Sequence, residues 1–479
     1  MSENNLRARA KTGVLWGTVE RFGTQGVQFL FSLILARLLS PSDYGIIAMP
    51  LIFLTIAQVF IDSGFANALI RKPDLRDEDL STALYFSIIV GLFFYLLLYF
   101  TSPLIAEFYN TPILADILKV TALTTLFTPL CTVQQAILTK NINFKVQARI
   151  SIIGALVGGI LGVGMALKGY GVWSLAVSQA LTAFIRTVLL WIWTRWYPRS
   201  KWNHNSFKYL WGYGSKLLAA GILDTIYQNI YPLIIGKFYN ANSLGFYTRA
   251  QQLAYLPTSN VYGIIRRVTF PLLSEIQEEE ERLRSVFIKV LRISVYLMFS
   301  IMCFIAGASK PIITVLLTDK WSDSIIYLQI LSIAMMFRPI DSLNLNLLTV
   351  KGRTDLFLKL EIIKKIAGVI ILIISIFYGV LAICIGYLCY CFIEIIIDSY
   401  YSGKYYKLPL VLQLKAMMPH LLLASIIFAS TFVLSSVLSN CYVSLTCDCI
   451  VTLLIFIVGS KLLKLKEYKD LLLLINRKK

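Results

Sequence analysis

The 479-residue chain is 57% hydrophobic and only 15% charged, against about 25% charged in an ordinary soluble domain. A water-soluble globule is excluded, because single cores stop growing near ~250–300 residues and the few polar residues here cannot cover the apolar remainder. Charge is unbalanced as well, with 45 Lys+Arg against 26 Asp+Glu and a net +19. The basic residues lie between hydrophobic runs and form no compact basic domain with interleaved aromatics, which excludes a nucleic-acid binder and favours anionic phospholipids or an anionic, lipid-borne substrate.

With about 20 apolar residues as the length that crosses a bilayer, the chain divides into fourteen helical segments. They are expected near 12–38, 43–62, 80–101, 114–137, 150–167, 172–194, 210–236, 244–265, 286–308, 324–348, 358–377, 379–400, 417–438 and 445–463. The first is preceded by Arg7, Arg9 and Lys11 in the manner of a signal peptide, but its apolar stretch runs on to about Leu39 with no small-residue cleavage pattern, so it is expected to remain as a span. Short connections such as Leu39-Ser40-Pro41-Ser42 and Tyr239-Asn240-Ala241-Asn242 make successive spans antiparallel.

Orientation follows from Lys and Arg in alternate connections, since basic loops stay on the cytoplasmic side. One set holds Arg7, Arg9 and Lys11, then Arg71, Lys72 and Arg76, then Lys140, Lys145 and Arg149, then Arg195, Arg199, Lys201 and Lys208, and continues to the lysine-rich C-terminus. The other holds Lys119, Lys168, Lys237, Lys310 and Lys320. Both termini are therefore expected in the cytoplasm.

The chain also repeats itself. Leu15-Trp16-Gly17 returns as Leu210-Trp211-Gly212, Asp43-Tyr44-Gly45 as Ser243-Leu244-Gly245, Leu138-Thr139 as Leu348-Thr349, and Tyr170-Gly171-Val172 as Tyr378-Gly379-Val380, at offsets of 195, 200, 210 and 208. Six spans per half is an even number, so the halves share an orientation and are related by an axis along the membrane normal. The expected organisation is an all-α polytopic membrane protein with six-helix lobes at 1–200 and 201–408, two additional transmembrane helices at 409–463, and an amphipathic tail at 464–479 lying on the inner leaflet.

Ionisable groups inside spans are costly and normally face a protein interior or a wet cavity. Gly17, Arg21, Gln25 and Gln28 share one face of the first span. Under the repeat Arg21 corresponds to Lys216, and along the same seventh span come Asp224 and Gln228, with Tyr227 and Tyr231 beside them. Two readings stand for Arg21 and Lys216: cations of a cavity, or side chains that snorkel to headgroups. Glu20 and Asp224 are either partners of these cations or carriers of a coupling proton. Arg249, Gln251 and Gln252 lie in the eighth span, and Arg338, Asp341, Asn344 and Asn346 surround Pro339 in the tenth. Arg338 and Asp341 are spaced to neutralise one another, and Pro339 is expected to kink the helix, which suits a gate. Glu394 and Asp398 are expected at the membrane interface.

Enzymatic readings fall short. Asp77-Glu78-Asp79 is the one acidic D-x-D match, and Asp79 is expected to cap the next helix; no loop is long enough for a folded catalytic domain. The cysteines offer two C-x-C pairs without a neighbouring histidine, so no metal site is expected, and Cys441 with Cys447 in an outer turn leaves a disulfide open.

Ala36-Arg37-Leu38-Leu39-Ser40-Pro41-Ser42-Asp43-Tyr44-Gly45 and Asp62-Ser63-Gly64-Phe65-Ala66-Asn67-Ala68-Leu69-Ile70-Arg71 resemble the opening of the Wzx-type polysaccharide transporters, flippases of the multidrug/oligosaccharidyl-lipid/polysaccharide exporter superfamily. Leu244-Gly245-Phe246-Tyr247-Thr248-Arg249-Ala250-Gln251-Gln252-Leu253, Phe270-Pro271-Leu272-Leu273-Ser274 and Lys351-Gly352-Arg353-Thr354-Asp355 are similar to later stretches of the same family, in its colanic-acid and lipopolysaccharide branch. The resemblance implies a non-enzymatic transporter with two lobes around a central cavity and alternating access. It also implies that an undecaprenyl-pyrophosphate-linked oligosaccharide passes from the cytoplasmic to the periplasmic leaflet of a bacterial inner membrane, with polysaccharide polymerase and chain-length machinery as partners. By position Arg21 fits the pyrophosphate-binding role of that family's cavity cations. Lys216 and Arg249 extend it, and Gln25, Gln28, Tyr227, Gln228, Tyr231 and Gln252 offer amide and phenol partners to sugar hydroxyls. No cofactor is expected, and a proton or sodium ion is left open as the coupling species. The alternative on the same fold is a small-molecule cation antiporter, which favours an acidic, aromatic cavity; a membrane-embedded glycan polymerase or ligase is a more distant one.

Overall fold

In lipid a backbone N–H or C=O has no outside partner, so a spanning chain must close its hydrogen bonds within itself, and a helix does so segment by segment. The computed structural model describes residues 3–470, and among these no strand occurs. The first half of the chain forms α1 (Glu3–Leu38), α2 (Pro41–Ala48), α3 (Leu51–Asp62), α4 (Phe65–Arg71), α5 (Asp77–Phe108) and α6 (Leu114–Thr121). After these come α7 (Thr124–Phe127), α8 (Pro129–Lys140), α9 (Phe144–Leu167), α10 (Val172–Thr194) and α11 (His204–Phe238). The second half forms α12 (Ala241–Glu275), α13 (Glu280–Gly307), α14 (Ser309–Leu317), α15 (Ser324–Met335), α16 (Arg338–Val350), α17 (Thr354–Ile376) and α18 (Val380–Tyr406), followed by α19 (Leu410–Val437) and α20 (Cys441–Leu462).

Each of the fourteen expected spans coincides with one of these helices or with a broken series of them. Among the described residues eleven segments, α2–α4, α6–α8 and α15–α16 each counted as one, are long and apolar enough to cross a membrane. The three other helices of spanning length are more polar, α1 and α12, or more densely charged near one end, α17, and they carry Arg21, Arg249 and Lys364.

The duplication is visible in the helix starts. α2, α5, α6, α9 and α10 begin at 41, 77, 114, 144 and 172, and their counterparts α12, α13, α15, α17 and α18 begin at 241, 280, 324, 354 and 380. Where the first copy breaks its fourth span into α6–α8, the second breaks the corresponding span into α15 and α16. The caps correspond too: the Ser40 hydroxyl accepts from the Asp43 N–H at 3.2 Å, and 200 residues on the Asn240 side chain accepts from the Ser243 N–H at 2.8 Å.

The described chain divides into two compact units, Met1–Gly245 and Phe246–Lys479. In the first, α9 lies against α1 and α10. Its Gly154, Gly158 and Gly162 recur every four residues toward α10, the small-residue face that lets membrane helices approach closely; a methyl on Gly158 would stand 1.9 Å from the Thr182 hydroxyl. α11 packs on α3, α4 and α5, where Phe65, Phe86, Phe207 and Trp211 form a continuous aromatic cluster with Phe65 and Phe86 stacked at 4.7 Å. The segment between α10 and α11 is strapped over the start of α5: Asp77 accepts from the Trp196 indole at 2.8 Å and the Arg199 backbone N–H at 3.1 Å, and Glu78 accepts from Asn203 at 2.6 Å. Asp79 accepts from the Arg76 N–H at 3.0 Å and from Lys72 at 2.7 Å. The acidic triplet is thus occupied in capping and bracing a helix start.

In the second unit α13 packs along α19 and against α15, while α18 contacts α15, α16 and α17. Tyr296 of α13 stacks on Phe456 of α20 and shares a 2.7 Å hydrogen bond with Ser460. Beyond α20 the chain folds back, burying Leu465 and Glu467; the tail from 471 onward lies outside the described residues. All eight cysteines are free thiols. Cys441 and Cys447 both belong to α20, where six residues of helical rise hold them roughly 9 Å apart, too far for the disulfide left open by the sequence.

Candidate functional site

In the first unit, Arg21 and Gln25 are half-buried and Gln28 is exposed. Gly13 and Gly23 of α1 face Phe144 and Ile152 of α9, and Phe31 covers Gly159, whereas a methyl on Gly17 would meet nothing within 4 Å. The polar stripe therefore runs beside the α9-packing face and leaves its first position open. Glu20 points the other way. It lies near Ser151 of α9 and within electrostatic range of Arg186 of α10, and Asp62 of α3, which accepts from Gln58 at 3.2 Å, is within range of the same guanidinium. Arg186 escaped sequence reasoning although an arginine in mid-span is itself the signal.

On α11, Lys216, Asp224 and Gln228 are exposed and Gln228 donates to Asp224 at 2.7 Å; Tyr227 is half-buried and Tyr231 buried. Asp224 is thus engaged by an amide one turn away.

The second unit holds a different arrangement. Arg249 is buried and donates to the Gln252 carbonyl at 2.7 Å. Deeper in the helices, Lys364 of α17 is 1% exposed and stands 2.7 Å from Asp341 of α16, 2.9 Å from Glu361 and 3.0 Å from Asp398 of α18. An ammonium has three N–H donors, and three carboxylates surround this one. Asn344 and Gln413 of α19 exchange amide hydrogen bonds, both at 3.1 Å, and Ser399 donates to the same Gln413 oxygen at 3.3 Å.

Three expectations are corrected here. Arg338 and Asp341 do not neutralise one another: Arg338 donates to the Tyr387 hydroxyl at 3.0 Å while Asp341 binds Lys364. Pro339 does not kink a continuous helix. The span breaks at Phe337, and Pro339 sits in the first turn of α16, where its missing N–H costs no hydrogen bond. Glu394 and Asp398 are not interfacial; both are buried inside the unit, Asp398 on Lys364. Lys364 itself was overlooked because it lies seven residues into a span whose first turns, Lys359 to Lys365, read as a charged end. Glu394 and Asp398 on α18, with no cation within one turn of either, were the available sign.

Chemically the two groups differ. Every donor of Lys364 has a carboxylate beside it, so this centre ties α16, α17 and α18 together and has nothing to offer an incoming anion. Arg21 and Lys216 of the first unit sit at more accessible positions.

A family model described as polysaccharide biosynthesis protein matches residues 34–326, from the last turns of α1 to the start of α15. The chain belongs to that family. Among relatives, the teichuronic acid biosynthesis protein TuaB of Bacillus subtilis (strain 168) is 24% identical over 355 residues, 74% of this chain and 73% of that one. The lipopolysaccharide biosynthesis protein WzxC of Escherichia coli (strain K12) is 24% identical over 366 residues, 75% of this chain and 74% of that one. The fold is that of the lipid II flippase MurJ in its inward closed conformation, with a TM-score of 0.72, 16% identity and coverage of 96% of this chain and 100% of that one. An inward-facing multidrug resistance MATE transporter of the MOP superfamily shares it with a TM-score of 0.63, 14% identity and coverage of 82% and 99%. For this member of the polysaccharide biosynthesis family, the all-α multi-pass architecture expected from hydropathy is therefore similar in fold to these two solved transporters.

Proposed function

We propose that the protein is a flippase that moves an undecaprenyl-pyrophosphate-linked oligosaccharide repeat unit from the cytoplasmic to the periplasmic leaflet of a bacterial inner membrane, by alternating access, for surface polysaccharide assembly. The observation that carries this reading is the placement of Arg21 on α1 and Lys216 on α11, two intramembrane cations at equivalent repeat positions and accessible rather than sealed among carboxylates, in a chain that belongs to a polysaccharide biosynthesis family. A diphosphate can leave water only where cations and hydrogen-bond donors replace its hydration.

In this proposal Arg21 and Lys216 hold the diphosphate, and Gln25, Gln28, Tyr227, Gln228 and Tyr231 hydrogen-bond the glycan. Arg249, buried on Gln252, orients that amide toward sugar and does not meet the phosphate directly. Glu20 and Asp224 are the carboxylates proposed to carry a coupling proton or sodium ion, Glu20 within electrostatic range of Arg186 and Asp224 beside the Gln228 amide. The basic connections, both termini included, face the cytoplasm, and a polymerase and chain-length regulator receive the product.

The second reading, cation or drug antiport, draws on the MATE-like fold and on the buried acids Asp341, Glu394 and Asp398. Deleting the gene and identifying accumulated lipid by mass spectrometry separates the two. A flippase leaves a complete lipid-linked repeat unit in the cytoplasmic leaflet; loss of drug tolerance with normal polymer would overturn the proposal.

A further inference from the structure

Apart from the stripe on α1 and α11, the first unit carries a cleft of about 560 Å³ where the start of α5 and the ends of α8 and α10 meet, lined by Lys140, Arg195, Trp196 and Arg199 together with Asp77. Its electrostatics are lopsided. The single carboxylate among its lining residues is already satisfied, since Asp77 accepts from the Trp196 indole, the Arg199 backbone N–H and the Ser200 and Ser81 hydroxyls. Lys140 is anchored to the cleft floor by the carbonyls of Lys72 and Pro73. Arg195, held in the left-handed region at φ 50° as the C-cap of α10, and Arg199 are both exposed, and neither guanidinium has a carboxylate partner among the described residues.

Depth is indicated by the neighbouring aromatics. Trp191, Trp193, Trp196, Tyr197 and Trp202 fall within twelve residues of the cleft segment, and Trp193, Tyr197 and Trp202 are exposed, the pattern of side chains that settle at headgroup level. A basic cleft with one aromatic wall at that depth faces phosphates, which accept the forked donors of arginine.

We infer that this cleft binds the phosphate headgroup of a membrane lipid, with Arg195 and Arg199 as its phosphate ligands and Lys140 as a fixed charge behind them. The inference does not depend on what the protein transports. Two lipids present this chemistry at the same depth, an anionic glycerophospholipid of the bilayer and the diphosphate of a polyprenyl carrier.

Native mass spectrometry of the full-length protein in neutral detergent, with phosphatidylglycerol, phosphatidylcholine and a polyprenyl diphosphate supplied separately, tests it. The expected result is retention of one or both net-anionic lipids over phosphatidylcholine, reduced roughly ten- to thirtyfold in Arg195→Gln/Arg199→Gln, as two basic groups near an anionic surface imply, and unchanged in Lys404→Gln. Preference for phosphatidylglycerol assigns the cleft to bilayer lipid, and preference for the diphosphate assigns it to the carrier. Equal retention by the double variant, or of phosphatidylcholine, would overturn the inference. Should the double variant fail to fold, a phosphatidylglycerol analogue carrying a headgroup photocrosslinker is expected to label residues 194–199 of the unaltered protein, and labelling elsewhere would overturn it equally.

Discussion

Gly45 and Gly245, two hundred residues apart, pack reciprocally: a methyl on Gly45 would stand 1.7 Å from the carbonyl oxygen of Ala241, and one on Gly245 would stand 1.9 Å from that of Pro41. Pro41 and Ala241 are themselves equivalent positions at the starts of α2 and α12. The contact is thus one glycine-on-carbonyl interaction made twice, as expected where two copies of a duplicated turn meet around a local two-fold relation.

Gly45→Ala and Gly245→Ala are each expected to lower stability by about 1–3 kcal/mol, because backbone cannot yield as a side-chain tip can. Gly164→Ala, whose added methyl meets nothing within 4 Å, is the matched control and should be neutral or slightly stabilising. Thermal unfolding of detergent-solubilised protein measures all three; unchanged stability in both turn variants would contradict the contact.

Removing the Lys364 ammonium leaves Asp341 and Asp398 buried without their cation. Lys364→Met should therefore cost about 3–5 kcal/mol, the range for breaking a buried ion pair from one side, seen as low membrane yield and early aggregation on heating. Adding Asp341→Asn and Asp398→Asn to the same variant is expected to recover part of the loss, and a triple variant no better than the single would contradict the pairing.

Arg21→Ala is expected to abolish glycan export while the protein still reaches the membrane, and Arg21→Lys to keep part of it, since a point charge replaces the forked guanidinium only partly. Surface polysaccharide in a complemented deletion strain is the readout, with an immunoblot of the membrane fraction beside it. Full export by the alanine variant would take Arg21 out of the site.

Gln413→Leu should cost about 1–3 kcal/mol, because it leaves the buried Asn344 amide without the partner that answers both its groups. Gln413→Leu with Asn344→Leu removes the orphaned amide and should be the more stable of the two. Melting temperatures in one detergent decide the order.

Much of this molecule is legible before any coordinates. Apolar runs of spanning length must become helices, because lipid supplies no other hydrogen-bond partner, and an ordered series of offsets marks the duplication that the helix starts of α2 to α10 and α12 to α18 repeat. Polar residues at helical spacing single out α1 and α11. Local chemistry also settles the role of Asp79, since a carboxylate three residues into a helix has a backbone N–H within reach.

Partner choice between helices was decided only by the tertiary structure. Arg338 and Asp341 are neighbours in sequence, yet the helix start at Arg338 lets the guanidinium reach Tyr387, and Asp341 meets Lys364 of the next span. Arg186 of α10 comes within electrostatic range of both Glu20 and Asp62, residues of two other helices. A buried charge is stabilised by whatever opposite charge lies within a few ångströms of it, and distance through space between spans is set by packing.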